Sequence, residues 1–120
     1  MKSTLGFQQS LDRIRATDAR YDREAYCFLR DALEYTLKRR GDVRTHISAM
    51  ELLEGFRLHA IEEFGPMALT VFDYWGVKSC EDIGNMVYAL IEQGVFGRNE
   101  NDRREDFLEG YDFEKAFRAF

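Results

Sequence analysis

The residues that could bind a metal ion are few and poorly spaced. The chain has two histidines, His46 and His59, and two cysteines, Cys27 and Cys80. A structural zinc site needs four ligands of these types, and a di-iron bundle needs Glu-x-x-His pairs on two helices. Neither histidine has a glutamate three residues before it. The sequence therefore predicts no metal site and no cofactor.

Catalytic motifs are also missing. The sequence has no G-x-S-x-G elbow, no phosphate-binding loop and no dinucleotide fingerprint. The charged run 99–106 resembles a calcium loop, but Arg103 stands at its fifth ligand position and Arg104 replaces the required glycine. Cys27 and Cys80 lack a neighbouring partner, which predicts two reduced, packed thiols. We expect no catalytic residues, and an enzyme of unrecognised type stays open.

The composition predicts a single helical domain that covers residues 1–120. Hydrophobic residues make up 45% of the chain, which is too apolar for a disordered protein. We expect a cytoplasmic protein with no membrane contact, because no stretch has the pattern of a signal peptide or a membrane span. Residues 1–60 carry a net charge of +2, from 11 basic and 9 acidic residues. Residues 61–120 carry −7, from 6 basic and 13 acidic residues, which disfavours phosphate binding there.

Apolar residues at helical spacing predict a mostly α fold, a compact bundle of about five helices with a short C-terminal helix. The predicted helices cover about 3–16, 23–40, 48–64, 66–75 and 79–93, and the short one follows Asp112. Asp22, Ser48 and Ser79 are expected N-caps, and Ser48 with Glu51 has capping-box spacing. Residues 43–47 are either a short strand or a loop. In the helix 66–75 we expect the buried face to carry Met67, Val71 and either Phe72 or Trp75.

The stretch 76–104 looks like the recognition helix and wing of MarR-type repressors. A turn after Gly76 leads to an amphipathic helix and then to a charged segment, so residues 95–108 are either a β-hairpin wing or a plain loop. Glu81, Asp82 and Glu92 on that helix would repel phosphates. The alternative function is thus a winged-helix-like nucleic-acid-associated regulator. Its phosphate contacts would be Lys38, Arg39, Arg40, Arg44, Arg103 and Arg104.

The C-terminal tail is rich in aromatic residues. Such side chains either complete the core of their own domain or anchor a partner. The leading hypothesis is a non-catalytic protein-interaction or assembly module, with an unidentified protein or a second copy as its partner. The candidate partner-binding residues are Tyr111, Phe113, Phe117 and Phe120.

From about Asp18 onward the chain resembles a family of small uncharacterised bacterial proteins from planctomycetes and verrucomicrobia. The tail 104–117 is the most specific part of the likeness. Shorter matching segments are 23–26, 51–55, 64–66, 75–76 and 81–84. The resemblance implies a bacterial cytoplasmic protein and supplies no catalytic residue.

Overall fold

The computed structural model describes residues 4–41, 47–97 and 103–118. Within these ranges the chain forms six α-helices, which confirms the predicted five helices and short C-terminal helix. Two 3-10 helices, Gly65–Met67 and Arg104–Glu109, complete the fold. None of the described helices combines the length and apolarity needed to cross a bilayer. The α-helices are α1 Thr4–Thr17, α2 Arg23–Arg40, α3 Ala49–Phe64, α4 Ala68–Trp75, α5 Cys80–Glu92 and α6 Phe113–Phe117.

The predicted caps fix where these helices begin and end. The Asp22 side chain accepts a hydrogen bond from the backbone N–H of Glu24 at the start of α2. Ser48 and Glu51 form the predicted capping box of α3. Gly41 ends α2 with φ at 68°, a left-handed conformation that glycine adopts without strain. These local patterns are correctly predicted because a cap depends only on residues within one turn.

One part of the core is a cluster of aromatic rings that α2, α3, α4 and α6 contribute. Phe72 of α4 lies at its centre, with ring centroids 5.2 Å from Phe56 and 5.2 Å from Phe117. Phe28 of α2 packs edge-on against Phe56 at 5.1 Å. Such edge and tilted contacts add to the stabilisation from burial alone. The rings hold α4 firmly against the rest of the bundle.

Helices α2 and α3 approach closely at Gly55. A Cβ at this position would lie 1.8 Å from Thr36 Oγ1, so only glycine fits. The Thr36 hydroxyl is buried and donates to the backbone carbonyl of Ala32 at 2.7 Å. This hydroxyl therefore has a hydrogen-bond partner inside α2, so the close contact with α3 leaves no polar group of Thr36 unpaired.

The predicted buried face of α4 is wrong for Met67. The structure buries Ala68 and Phe72, and Met67 is 55% exposed. The reason is rotational register. Met67 ends the 3-10 helix just before α4 and precedes Phe72 by five positions, so at about 100° per residue it lies about 140° around the helix axis from that ring, toward solvent. Val71 and Trp75 flank the buried side and are half-buried.

The predicted alternative of a β-hairpin wing is not supported. The described residues contain no strand, and Arg104–Glu109 form a 3-10 helix that packs on α5. Phe107 is buried against Gly84, where a Cβ would lie 2.7 Å from the Phe107 Cβ. This apolar contact holds the segment onto the helix that a winged-helix protein would leave free for DNA. Of the predicted strand-or-loop segment 43–47, residues 43–46 lie outside the described residues, and Ile47 lies in neither a helix nor a strand.

Candidate functional site

A shallow polar cleft lies between α5 and the 3-10 helix Arg104–Glu109. It has a volume of about 140 Å³. The close contact of Phe107 with Gly84 brings the two elements together beneath it. The cleft thus combines two carboxylates, one guanidinium, one amide and one apolar side chain. Its lining residues are Glu81, Asn85, Arg104, Glu105 and Leu108.

A hydrogen-bond network holds the polar wall of this cleft in place. Tyr21, which is 1% exposed, donates its hydroxyl proton to Asp82 Oδ1 at 2.5 Å. The Asn85 amide donates to the Tyr21 oxygen at 3.0 Å. Arg104 in turn donates to the Asn85 carbonyl oxygen at 2.8 Å. The chain of bonds runs from a buried tyrosine to the guanidinium at the cleft.

The network has a defined protonation state at neutral pH. Burial raises the pKa of Tyr21 to about 12, so its hydroxyl keeps its proton. The other oxygen of the Asp82 carboxylate accepts the backbone N–H of Lys78 at 2.8 Å. Both carboxylate oxygens therefore have donors, and the Asn85 orientation follows from its two neighbours. The Arg104 guanidinium also lies over the Tyr88 ring, 5.7 Å from its centroid.

The tail aromatics predicted as partner contacts lie against the chain's own core. Phe113 and Phe117 are buried, with ring centroids 5.8 and 5.2 Å from Phe72. Tyr111 donates its hydroxyl proton to the Leu53 backbone carbonyl at 2.7 Å. Phe120 lies outside the described residues. The structure brings three of the four predicted residues together, and their role in partner binding stays a prediction.

The cations predicted for nucleic acid lie on two separate elements. Lys38, Arg39 and Arg40 are exposed in the last turn of α2, and Arg40 pairs with Glu51 at 3.6 Å. Arg103 and Arg104 lie at the start of the second 3-10 helix, where Arg103 approaches Asp106 at 3.9 Å. Arg104 donates to the Asn85 amide oxygen on α5 at 2.8 Å. Arg44 lies outside the described ranges.

Sequence reasoning missed the outer face of α4, a surface defined here as Thr70 and Tyr74 of the helix together with Met67, which immediately precedes it. Tyr74 is 82% exposed and Met67 is 55% exposed. Thr70, which lies between them along the helix, is also exposed. The spacing of three and four residues puts all three on one side. The sequence left open whether Phe72 or Trp75 is buried on α4. Deciding that choice would have shown which side of the helix faces solvent.

His59 and the cysteines have packing roles. The His59 ring stacks on Phe28 at 4.9 Å and lies 4.9 Å from the Tyr35 ring. Cys80 is buried, its Sγ lies 3.4 Å from the Tyr111 carbonyl oxygen, and burial raises the pKa of its thiol to about 11. Cys27 is half-buried, and burial raises its thiol pKa as well. Among the described residues, no three His, Cys, Asp or Glu side chains gather in a metal-binding arrangement.

Comparisons with known proteins identify no relative of this chain. No protein family, no curated protein and no solved structure matches the chain. The resemblance to the planctomycete and verrucomicrobial family therefore stays a prediction.

Proposed function

We propose that this chain is a non-catalytic protein-interaction module that binds its partner through the outer face of α4. The observation that carries the proposal is the exposure of Tyr74, whose side chain is 82% accessible on a well-packed helix. Tyrosine and methionine are enriched at protein interfaces, where they supply contact area and tolerate water at the rim. Tyr74 and Met67 together offer both kinds of side chain.

The helix beneath this face is rigid, which favours binding. Ala68 and Phe72 on the opposite side are fully buried. The backbone carbonyl of Trp75 accepts the N–H of Asp22 at 3.0 Å, which ties the end of α4 to the start of α2. A surface that is already ordered loses less conformational entropy on association. The partner therefore meets a fixed platform.

The chemistry of the face indicates the kind of partner. None of its three side chains is charged, although the whole chain has a net charge of −5. A partner at this face would gain affinity from apolar contact rather than from ion pairs. The candidates are a protein with an exposed apolar patch, or a second copy of this chain.

The tail offers a poorer anchor than α4. Binding through Phe113 or Phe117 would require α6 to leave the core, because both rings are buried. Removing two buried phenylalanines from their contacts would cost about 3–5 kcal/mol each. Tyr111, Phe113, Phe117 and Phe120 stay proposed partner residues only for a partner that displaces this helix.

The nucleic-acid alternative rests on one observation. Lys38 and Arg39 are exposed side by side at the C-terminal end of α2. Phosphate binding at this place predicts an affinity for DNA or RNA that falls steeply as salt rises. Equal and negligible binding to duplex DNA at low and high salt would end this alternative.

The main proposal is tested by a photo-crosslinking amino acid placed at position 74 in cells. A matched control carries the same group at position 50, because Met50 is also exposed, at 57%, but lies on α3. We expect a discrete crosslinked product from position 74 and none from position 50. A product of twice the 14.1 kDa chain mass would identify a second copy as the partner. Crosslinks of equal yield and pattern from both positions would contradict the proposal.

A further inference from the structure

The cleft between α5 and the second 3-10 helix holds charges of both signs that do not pair with each other. Glu81 and Glu105 supply carboxylates, and Arg104 supplies the guanidinium. Among residues 4–41, 47–97 and 103–118, no ion pair involves any of these three side chains. Within the described part of the chain, Arg104 donates one hydrogen bond, to the neutral amide oxygen of Asn85, and lies over the Tyr88 ring. Most of its five N–H donors therefore remain available to a ligand.

The sign of the charges limits which ligand fits. A simple anion near Arg104 would meet the repulsion of two carboxylates. A simple cation near Glu81 and Glu105 would meet the guanidinium. A molecule with an ammonium and a carboxylate satisfies both walls, because each charged group finds its opposite. Its apolar part would lie on Leu108, which is exposed at the rim of the cleft.

The size of the cleft limits the ligand further. The volume is about 140 Å³. A protein cavity of about 150 Å³ holds benzene, which has about six non-hydrogen atoms. We propose that this cleft binds a small free α-amino acid of the size of alanine. The ammonium group lies between Glu81 and Glu105, and the carboxylate accepts hydrogen bonds from Arg104.

The network behind the cleft positions Arg104 for this task. Asn85 holds the guanidinium, Tyr21 holds Asn85, and Asp82 holds Tyr21. Tyr21 is buried and fixed, so the guanidinium is oriented before a ligand arrives. Preorganised groups lose less conformational freedom on binding. The inference is independent of the interaction proposal, because the cleft and the outer face of α4 share no residue.

The test is a titration of the ¹⁵N-labelled full chain with L-alanine, followed by NMR. Two probes of nearly equal size serve as matched ligands: N-acetyl-L-alanine lacks the ammonium group, and L-alanine amide lacks the carboxylate. We expect saturable shifts in residues 81–85 and 104–108 with L-alanine. Each truncated probe should bind at least about ten-fold more weakly, since each loses a charge-assisted hydrogen bond.

Two arginine variants locate the ligand. Arg104→Gln should weaken L-alanine binding at least about ten-fold, whereas Arg103→Gln, at the neighbouring exposed arginine, should leave it unchanged. Glu105→Gln provides a second reading if Arg104→Gln does not fold, and it should weaken L-alanine more than N-acetyl-L-alanine. The proposal is overturned if L-alanine gives no saturable shift at tens of millimolar. It is also overturned if the three ligands bind equally.

Discussion

Replacing Phe117 with alanine tests whether the aromatic tail belongs to the core. The Phe117 ring has 0% exposure and contacts three other rings. Its centroid lies 5.2 Å from Phe72, 5.1 Å from Phe113 and 5.9 Å from Tyr111. Phe117→Ala would therefore remove a ring that joins α6 to α4 and leave a cavity beneath it.

The expected loss follows from this burial. Replacing a buried phenylalanine with alanine costs about 3–5 kcal/mol, which includes the cavity term. The free energy of unfolding for a domain is only about 5–15 kcal/mol. At roughly 4 °C per kcal/mol for a domain of this size, the Tm should fall by about 12–20 °C. Phe117→Ala should thus have a large effect, although Phe117 is only three residues before the last residue of the sequence.

Urea unfolding followed by circular dichroism measures the change, with Tyr74→Ser as the surface control. The control should alter the free energy of unfolding by less than about 0.5 kcal/mol, because Tyr74 is exposed. Phe117→Ala with near wild-type stability would refute the packing described here. If that variant also lost a protein partner, the tail would be an anchor after all.

Three further predictions concern packing and titration. Gly55→Ala should lower the free energy of unfolding by about 2 kcal/mol, since overpacking against Thr36 outweighs the gain in helix propensity. Adding Thr36→Gly to this variant should recover part of the lost free energy. Additive losses from the two substitutions would contradict the contact. Stability should fall as pH rises from about 10 to about 12, because burial raises the pKa of Tyr21 to about 12 from its ordinary value of 10.0, so the tyrosine of the unfolded state loses its proton first. Tyr21→Phe should flatten this decline in thermal melts. An unchanged slope would refute the role of Tyr21 in the decline. A thiol reagent should modify half-buried Cys27 faster than buried Cys80, as counted by mass spectrometry of digested protein, and the reverse order would contradict the burial.

The helix boundaries could be predicted because their signals are local. Asp22, Ser48 and Ser79 cap their helices through bonds that span two or three residues. The rotation of α4 could not be predicted, since α4 has apolar residues on several sides. Only packing against Phe28 and Phe56 selects Phe72 as the inward residue.

The candidate sites depend on contacts that sequence spacing does not reveal. Tyr21 and Asp82 are 61 positions apart, yet their side chains share a hydrogen bond. The segment 104–109 has two apolar residues and no periodicity, so only the contact of Phe107 with Gly84 fixes its place. Tail aromatics have the same composition whether they fill a core or face a partner. Their burial against Phe72 comes from the tertiary structure alone.

The most direct test of the central claim is an affinity measurement on the partner captured through position 74. Isothermal titration calorimetry would compare the wild-type chain, Tyr74→Ser and Met50→Ser with that purified partner. A central aromatic contact contributes at least about 2 kcal/mol, so Tyr74→Ser should weaken binding by a factor of about 30 or more. Met50→Ser should change the affinity less than about two-fold, because Met50 is also an exposed apolar residue but lies on α3, away from the outer face of α4. Equal affinities for the three chains would contradict the assignment of the outer face of α4 as the binding surface.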